Sequence, residues 1–207
     1  MADPSRPLLD EAATRRLLRW LPLAFAGHLL VGVPTLLISL VVAYGTWVQA
    51  NATQRLQEAA AWPFLAYDTS NATDEGEPRV SLTLTNNGVG PALLGPIELR
   101  YNGKAMRNPR ELLVACCGVR KGDAILLRTT PPSGVALRPG EQIAFFEVRN
   151  EAMNRRYLKR LEAERPKFDV RSCYCSIFDS CWVIRGVQAK PQPVDQCPAD
   201  WTLYHDR

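Results

Sequence analysis

An uncharged stretch near the N-terminus constrains this chain more than any other feature. Residues 23–48 are 26 consecutive positions without Asp, Glu, Lys or Arg, although 22% of the 207-residue chain is charged. About 20 helical residues cross a bilayer core of roughly 30 Å, so this stretch is long enough to span a membrane with tilt. It excludes a wholly soluble protein and predicts a transmembrane helix over 23–48.

The alternatives are a buried core helix and a cleaved secretory signal. Ala50-Asn51-Ala52 matches a signal cleavage pattern, but the apolar stretch is far longer than the roughly 7 to 15 residues of a signal. We therefore expect an uncleaved anchor in contact with the lipid bilayer.

Basic residues are distributed unevenly about this stretch, and they predict its orientation. Four arginines precede it, whereas Arg55 is the only basic residue among the first thirty that follow. By the positive-inside rule, residues 1–22 are cytoplasmic and the C-terminal part is periplasmic or extracellular. Pro7 to Trp20 is expected to form a short amphipathic helix, with a bend at Pro22 leading into the span. Frequent Ala, Arg and Leu favour a bacterial inner (plasma) membrane.

Small residues recur every four positions within the predicted span. Thr35, Ser39 and Ala43 follow the spacing that lets two helix backbones approach closely. Such spacing also arises by chance in apolar helices. The stripe makes self-association of the span a hypothesis.

Beyond residue 48 the pattern changes from a helix to strands. Residues 49–61 contain good helix formers and predict a helical stalk that ends at Trp62-Pro63. Alternation with a period of two then predicts strands at 79–85, 97–101, 142–149 and 167–176. We expect a mainly β protein in which residues 62–190 form an immunoglobulin-like antiparallel β-sandwich with two short helical insertions, followed by a tail at 191–207.

Cap and turn patterns divide these strands. Asn108-Pro109-Arg110-Glu111 predicts the start of one helix, and Asn150 is expected to cap a second. The second helix should bury an apolar stripe formed by Met153, Tyr157, Leu158 and Leu161. Residues 86–91 predict a tight turn or bulge in which Asn and Gly tolerate positive φ, and residues 138–141 a type II turn.

Three of these segments carry a resemblance to a family. The turn N-N-G-V-G-P-A, the later turn L-R-P-G-E and the hairpin Y-C-S-I-F-D-S-C-W all follow a single anchor. In this combination the chain resembles uncharacterised bacterial single-pass membrane proteins with an extracytoplasmic β domain of unknown function. The resemblance covers most of residues 62–185 and implies no activity and no catalytic residue.

All six cysteines follow the predicted span, on its non-cytoplasmic side. An even number of cysteines in an oxidising compartment predicts disulfides; the candidates are Cys116, Cys117, Cys173, Cys175, Cys181 and Cys197. A five-residue loop, 176–180, would place Cys175 opposite Cys181, which favours that pair. Cys173 would then reach either the Cys116-Cys117 region or Cys197, and the two adjacent cysteines are expected not to bond each other, because that bond strains the backbone.

Composition and motifs give little indication of catalysis. A formal net charge of +4 is too small and too dispersed to indicate nucleic-acid binding. The outer part's one histidine, His205, lies in the tail, so no nucleophilic triad, metal site, cofactor or small-molecule substrate is predicted. We expect a non-catalytic binding or assembly module with a protein partner. The alternatives are an effector or sensor that acts through self-association of the span, and a thiol-disulfide oxidoreductase that uses the C-x-C at 173–175 or the vicinal pair.

Overall fold

A computed structural model describes residues 11–120, 122–187 and 190–206. The protein is mainly β, with two antiparallel sheets that follow one long apolar N-terminal helix. The chain divides into two compact units, Met1–Leu56 and Gln57–Arg207. The β sheets lie entirely in the second unit.

The N-terminal helix, α1, is continuous from Glu11 to Ala60. Within Leu18–Ala60, an 18-residue window reaches a mean hydropathy of 2.1, and no residue of that window is buried. This part of α1 is therefore long and apolar enough to cross a membrane. The backbone stays helical through Pro22 and Pro34, so the segment before the span and the span belong to one helix, and the bend at Pro22 stays a prediction. A proline removes one amide donor from a helix, which the rest of the helix can tolerate. The predicted helix start at Pro7 lies outside the described residues.

Within the residues that the structure describes, ten strands and two short α-helices follow α1. They are β1 (Leu65–Ala72), β2 (Pro78–Asn86), β3 (Ala92–Tyr101), β4 (Lys104–Met106), α2 (Pro109–Cys117), β5 (Leu127–Arg128), β6 (Ala136–Leu137), β7 (Gln142–Arg149), α3 (Arg155–Glu164), β8 (Phe168–Cys175), β9 (Cys181–Arg185) and β10 (Gln192–Val194). One sheet has the order β1-β2-β7-β5. The other has the order β10-β9-β8-β3-β4, and β6 also pairs with β3. The four strands predicted from alternation are confirmed.

Both sheets and both short helices contribute side chains to one hydrophobic core. In the first sheet, Val80, Leu82 and Leu84 alternate along β2 and are fully buried. In the second sheet, Leu99 and Val170 are register partners on β3 and β8 and are equally buried. The period of two therefore selects the core face of the strands.

The predicted cap of α2 is confirmed. Asn108 Oδ1 accepts a hydrogen bond from the Glu111 amide at 2.9 Å, and Glu111 Oε2 accepts one from the Arg107 amide at 2.8 Å. Gly118 ends the helix in the left-handed region, at φ 70°.

The predicted start of α3 is wrong. Asn150 does not cap it; the helix begins at Arg155, after a turn. The buried Asn154 side chain bonds both backbone groups of Leu126, donates to the Arg149 carbonyl, and thereby ties a loop to the end of β7. Met153 consequently lies before the helix and is half exposed, whereas the rest of the predicted stripe, Tyr157, Leu158 and Leu161, is buried.

Asn86 closes the turn that follows β2. Its fully buried amide accepts hydrogen bonds from the Phe64 and Gly88 amides at 3.2 and 3.0 Å. It also donates to the Gly90 and Leu137 carbonyls at 2.8 and 3.0 Å. One side chain therefore connects the entry to β1, the turn and β6.

The turn after β2 is tight, as predicted, but its glycines are required for a reason other than positive φ. Positive φ is not found at Gly88 or Gly90. A Cβ at Gly90 would lie 1.9 Å from the Ala61 carbonyl oxygen, and one at Gly88 would lie 2.3 Å from the Phe64 nitrogen. The expected positive φ is therefore wrong, and close backbone approach requires glycine. The type II turn is confirmed by Gly140, at φ 75°.

Replacement of Asn86 by Ala should lower the free energy of unfolding by about 3 kcal/mol or more, because it leaves buried amide and carbonyl groups unpaired. Urea unfolding of the full-length protein in detergent measures this loss. Asn87→Ala, at the exposed neighbouring position, is the control and should change stability by no more than about 0.5 kcal/mol. Equal losses in the two variants would contradict the role assigned to Asn86.

Candidate functional site

All six cysteines form disulfides, and the predicted Cys175–Cys181 pair is confirmed. Cys173 bonds Cys197, which is one of the two partners that the sequence left open. The two cysteines of the C-x-C segment therefore bond different partners and not each other.

Cys116 and Cys117 bond each other at the end of α2, with 3.7 Å between their Cα atoms. The expectation that adjacent cysteines stay apart is wrong. Both side chains belong to the hydrophobic core cluster, whereas Cys173 lies outside that cluster and is bonded to Cys197. Because the other four cysteines bond one another, Cys116 and Cys117 have only each other as partners.

The hairpin that joins β8 and β9 has the predicted five-residue loop, and Cys175 lies opposite Cys181 in register. The Ser176 amide donates to the Ser180 carbonyl at 2.8 Å, which closes the loop. Asp179 adopts φ 59°, a left-handed conformation that Asp tolerates better than most residues. A disulfide and backbone hydrogen bonds together hold the loop in one shape.

Two large apolar side chains are exposed at the tip of this hairpin. Ile177 is 53% exposed and Phe178 is 45% exposed. Strand register places the tip at the end of the β domain where the chain enters from residue 61, because Cys175 is opposite Leu93 and β2 ends beside Phe64. We call the exposed apolar residues at this end the apolar rim: Trp62, Val89, Leu93, Ile177 and Phe178.

Two disulfides meet beside the apolar rim. Cys175 Sγ lies 3.9 Å from Cys197 Sγ, although the two atoms are not bonded. The Sγ atoms of Cys175, Cys181 and Cys197 lie within 4.8 Å of one another. We call these three residues, together with Cys173, the sulfur cluster. Because every sulfur is in a disulfide, the cluster holds no thiolate that could ligate a metal in this state.

Gly95 provides the space for this cluster. A Cβ at Gly95 would lie 3.1 Å from Cys197 Sγ and 3.2 Å from the Cys173 carbonyl oxygen. Gly95 is in the irregular segment of β3, where the register with β8 shifts between Leu94 and Ile97. The Gly95-Pro96 pair is the sequence signal that could have located this site.

The predicted tail is packed onto the β domain. β10 adds to the second sheet, and Cys197 joins β8 through its disulfide. Tyr204 is buried in the core, packs edge to face on Phe145, and its amide donates to the Ile97 carbonyl at 3.0 Å. The His205 amide bonds the Arg107 carbonyl. The periodicity argument missed this contribution because the segment has no regular alternation.

An open cleft of about 790 Å³ lies between the β3–β4 hairpin and α2. Three of its polar side chains are used within the fold, since Asn108 caps α2, Glu111 bonds the Arg107 amide and Tyr101 donates to Glu164 at 2.6 Å. The lining also includes Asn102, Lys104 and Arg110, together with the apolar Met106, Val114 and Ala115. The cleft therefore combines an apolar surface with polar side chains at its edge.

The hydroxyl groups of the small-residue stripe bond their own helix. Thr35 Oγ1 donates to the Val31 carbonyl at 2.7 Å, and Ser39 Oγ donates to the Thr35 carbonyl at 2.8 Å. Ala43 continues the same face. Since these donors are already paired, the stripe offers close backbone approach and not new polar bonds. Self-association of the span stays a prediction.

Comparison of the chain with protein families, curated proteins and solved structures finds no match. The site therefore rests on its own geometry.

Asp123 connects α3 to the loop that precedes β5. Its carboxylate accepts a hydrogen bond from the Tyr157 hydroxyl and one from the Arg120 amide, and it pairs with Arg156 at 3.2 Å. The Tyr157 hydrogen bond is the main reason that the pKa of Asp123 lies below its ordinary value. Arg156 of α3 is therefore used within the domain.

Asp123→Asn should make stability less dependent on pH in the acid range. Because the folded-state pKa is lowered, the carboxylate stabilises the fold above its unfolded pKa of about 3.9, and this contribution is lost as pH falls through the folded pKa. The urea midpoints of the wild-type protein and of the Asp123→Asn variant should therefore differ at neutral pH and converge in acid. A constant difference at all pH values would contradict this assignment, and Asp195→Asn at an exposed position is the control.

Proposed function

We propose that this protein is a membrane-anchored, extracytoplasmic binding or assembly module without catalysis of its own, and that the apolar rim binds a protein partner. One observation carries the proposal: Ile177 and Phe178 are exposed on a loop that a disulfide and backbone hydrogen bonds hold in one conformation. Large apolar side chains that are exposed next to each other on a rigid loop are typical of a surface that binds a partner.

The energetics favour contact with a partner. Complete burial of a large apolar side chain contributes about 1.5 to 3 kcal/mol, so covering a side chain that is half exposed adds about 1 kcal/mol. Five such residues in the apolar rim contribute several kcal/mol in total. Because the hairpin loop is already ordered, little conformational entropy is lost on binding. A rigid apolar centre of this kind is typical of the residues that dominate protein interfaces.

The anchoring part of the proposal rests on α1 and on the disulfides. The apolar length of α1 fits a single span over residues 23–48, and four arginines before it favour a cytoplasmic N-terminus. Three disulfides after residue 61 fit an oxidising compartment, such as the bacterial periplasm or the exterior. We also propose that the two sheets form an immunoglobulin-like sandwich, supported by the core that they share.

Substitution of both Ile177 and Phe178 by Ser should weaken partner binding about tenfold. A photo-cross-linking amino acid at Leu93, opposite Cys175 in register, should give a discrete adduct in native membranes. The double substitution should reduce its yield about tenfold, through loss of about 1 to 2 kcal/mol of apolar contact. Leu126→Ser, at an exposed apolar residue outside the rim, is the control. An adduct that is unchanged by the double substitution would refute the rim as the binding surface.

Reporter fusions test the proposed orientation. Alkaline phosphatase fused after Ala50 or after the C-terminus should be active, because both positions should lie outside the cytoplasm. Green fluorescent protein fused before Met1 should fluoresce, because that end should stay cytoplasmic. A C-terminal phosphatase fusion that is expressed and inactive would contradict both the orientation and the oxidising compartment.

A further inference from the structure

In the sulfur cluster, Cys175 Sγ lies close to the Cys173–Cys197 disulfide, which it could attack as a thiolate. Thiol-disulfide exchange needs a thiolate next to a disulfide sulfur, and reacting atoms in a near-attack geometry are about 3 to 3.5 Å apart. Cys175 Sγ is 3.9 Å from Cys197 Sγ while both are still bonded to other partners. A movement of about 0.4 to 0.9 Å therefore brings the two sulfurs into this range.

We propose that the sulfur cluster is a thiol-exchange site, in which an external thiol that opens the Cys175–Cys181 bond causes Cys175 to take Cys197 from Cys173. The co-reactant is a thiol that reaches the hairpin from solvent. Cys175, Cys181 and Cys197 are all partly exposed, whereas Cys173 is completely buried. The exchange thus starts at a solvent-accessible disulfide and ends with the buried Cys173 as the free thiol. The exchange requires no partner at the apolar rim.

The two steps conserve disulfide bonds and electrons. The thiolate of the external thiol attacks Cys181 Sγ, a mixed disulfide forms there, and the bonding pair leaves on Cys175 Sγ. Cys175 Sγ then attacks Cys197 Sγ, the Cys175–Cys197 bond forms, and Cys173 Sγ leaves with the bonding pair. Cys173 takes up the proton that the external thiol released. Two disulfides are present before and after, so no net oxidation or reduction occurs.

Burial favours this outcome over a return to the starting pairs. Buried structural cysteines are inert, and Cys173 is completely buried, so its sulfur stays out of reach of thiols in solvent once it has been released. Gly95 keeps the space in which Cys197 Sγ can move, because even one added carbon would lie 3.1 Å from that sulfur. The protein therefore has room for both pairings.

Cys181→Ser tests the second step directly, because it leaves Cys175 as a thiol from the start. Digestion with trypsin and chymotrypsin cleaves after Tyr174, Phe178 and Trp182, which separates Cys173, Cys175 and residue 181 into different peptides. Mass spectrometry of acid-quenched, alkylated protein should find Cys175 bonded to Cys197 and Cys173 alkylated in a substantial fraction of molecules. Cys175 alkylated in every molecule, with Cys173–Cys197 intact, would overturn the proposal.

The native protein provides a second measurement that needs no folding of a variant. Mild treatment with reduced glutathione should give glutathione on Cys181 together with a free Cys173. Glutathione on Cys181 with a free Cys175 and an intact Cys173–Cys197 bond would overturn the proposal. Cys116→Ser, which leaves Cys117 as a free thiol elsewhere in the chain, is the control and should keep both bonds of the sulfur cluster. Gly95→Ala in the Cys181→Ser background should reduce the exchanged fraction severalfold.

Discussion

The buried amide of Asn86 is the interaction on which the β domain most depends. It satisfies two amide donors and two carbonyl acceptors that would otherwise be unpaired where β1 begins, β2 ends and β6 runs past. Its own backbone adds to this closure, since it accepts from Gly140 and donates to Glu141. At this end of the domain the chain passes from β2 in one sheet to β3 in the other. The Asn86 side chain therefore holds both sheets in position.

A second buried amide has the same role at another junction. Asn154 bonds Leu126 and the Arg149 carbonyl and so ties the loop before β5 to the end of β7. Disulfides then add covalent links between segments of the β domain. By the chain-entropy model, the Cys173–Cys197 bond contributes about 3.5 kcal/mol and the short Cys175–Cys181 loop about 2 kcal/mol. The first of these bonds joins to β8 the irregular C-terminal segment that buries Tyr204 in the core.

Local patterns predicted much of this fold. Alternation located β2 and β7, the Asn108 cap located α2, and loop length paired Cys175 with Cys181, because each of these depends on neighbours in sequence. The failures depend on long-range contacts. Asn150 has the same side chain as Asn154, but Asn154 is the one that bonds Leu126 and the Arg149 carbonyl, and its side chain does not cap α3. The glycines after β2 likewise respond to the backbone of residues 61–64, which the local sequence does not display.

The candidate site was less predictable, because it arises where separate segments meet at one end of the sheets. The hairpin tip carries the exposed Ile177 and Phe178, and its base carries the disulfide that contacts Cys197. In the proposed exchange the hairpin would lose the Cys175–Cys181 bond but keep its strand ladder and the stacking of Tyr174 on Trp182. The tip would then remain folded while its loop gained freedom, and a more mobile loop pays a larger entropic cost on binding. Thiol chemistry at the base of the hairpin would thereby weaken apolar contacts at its tip.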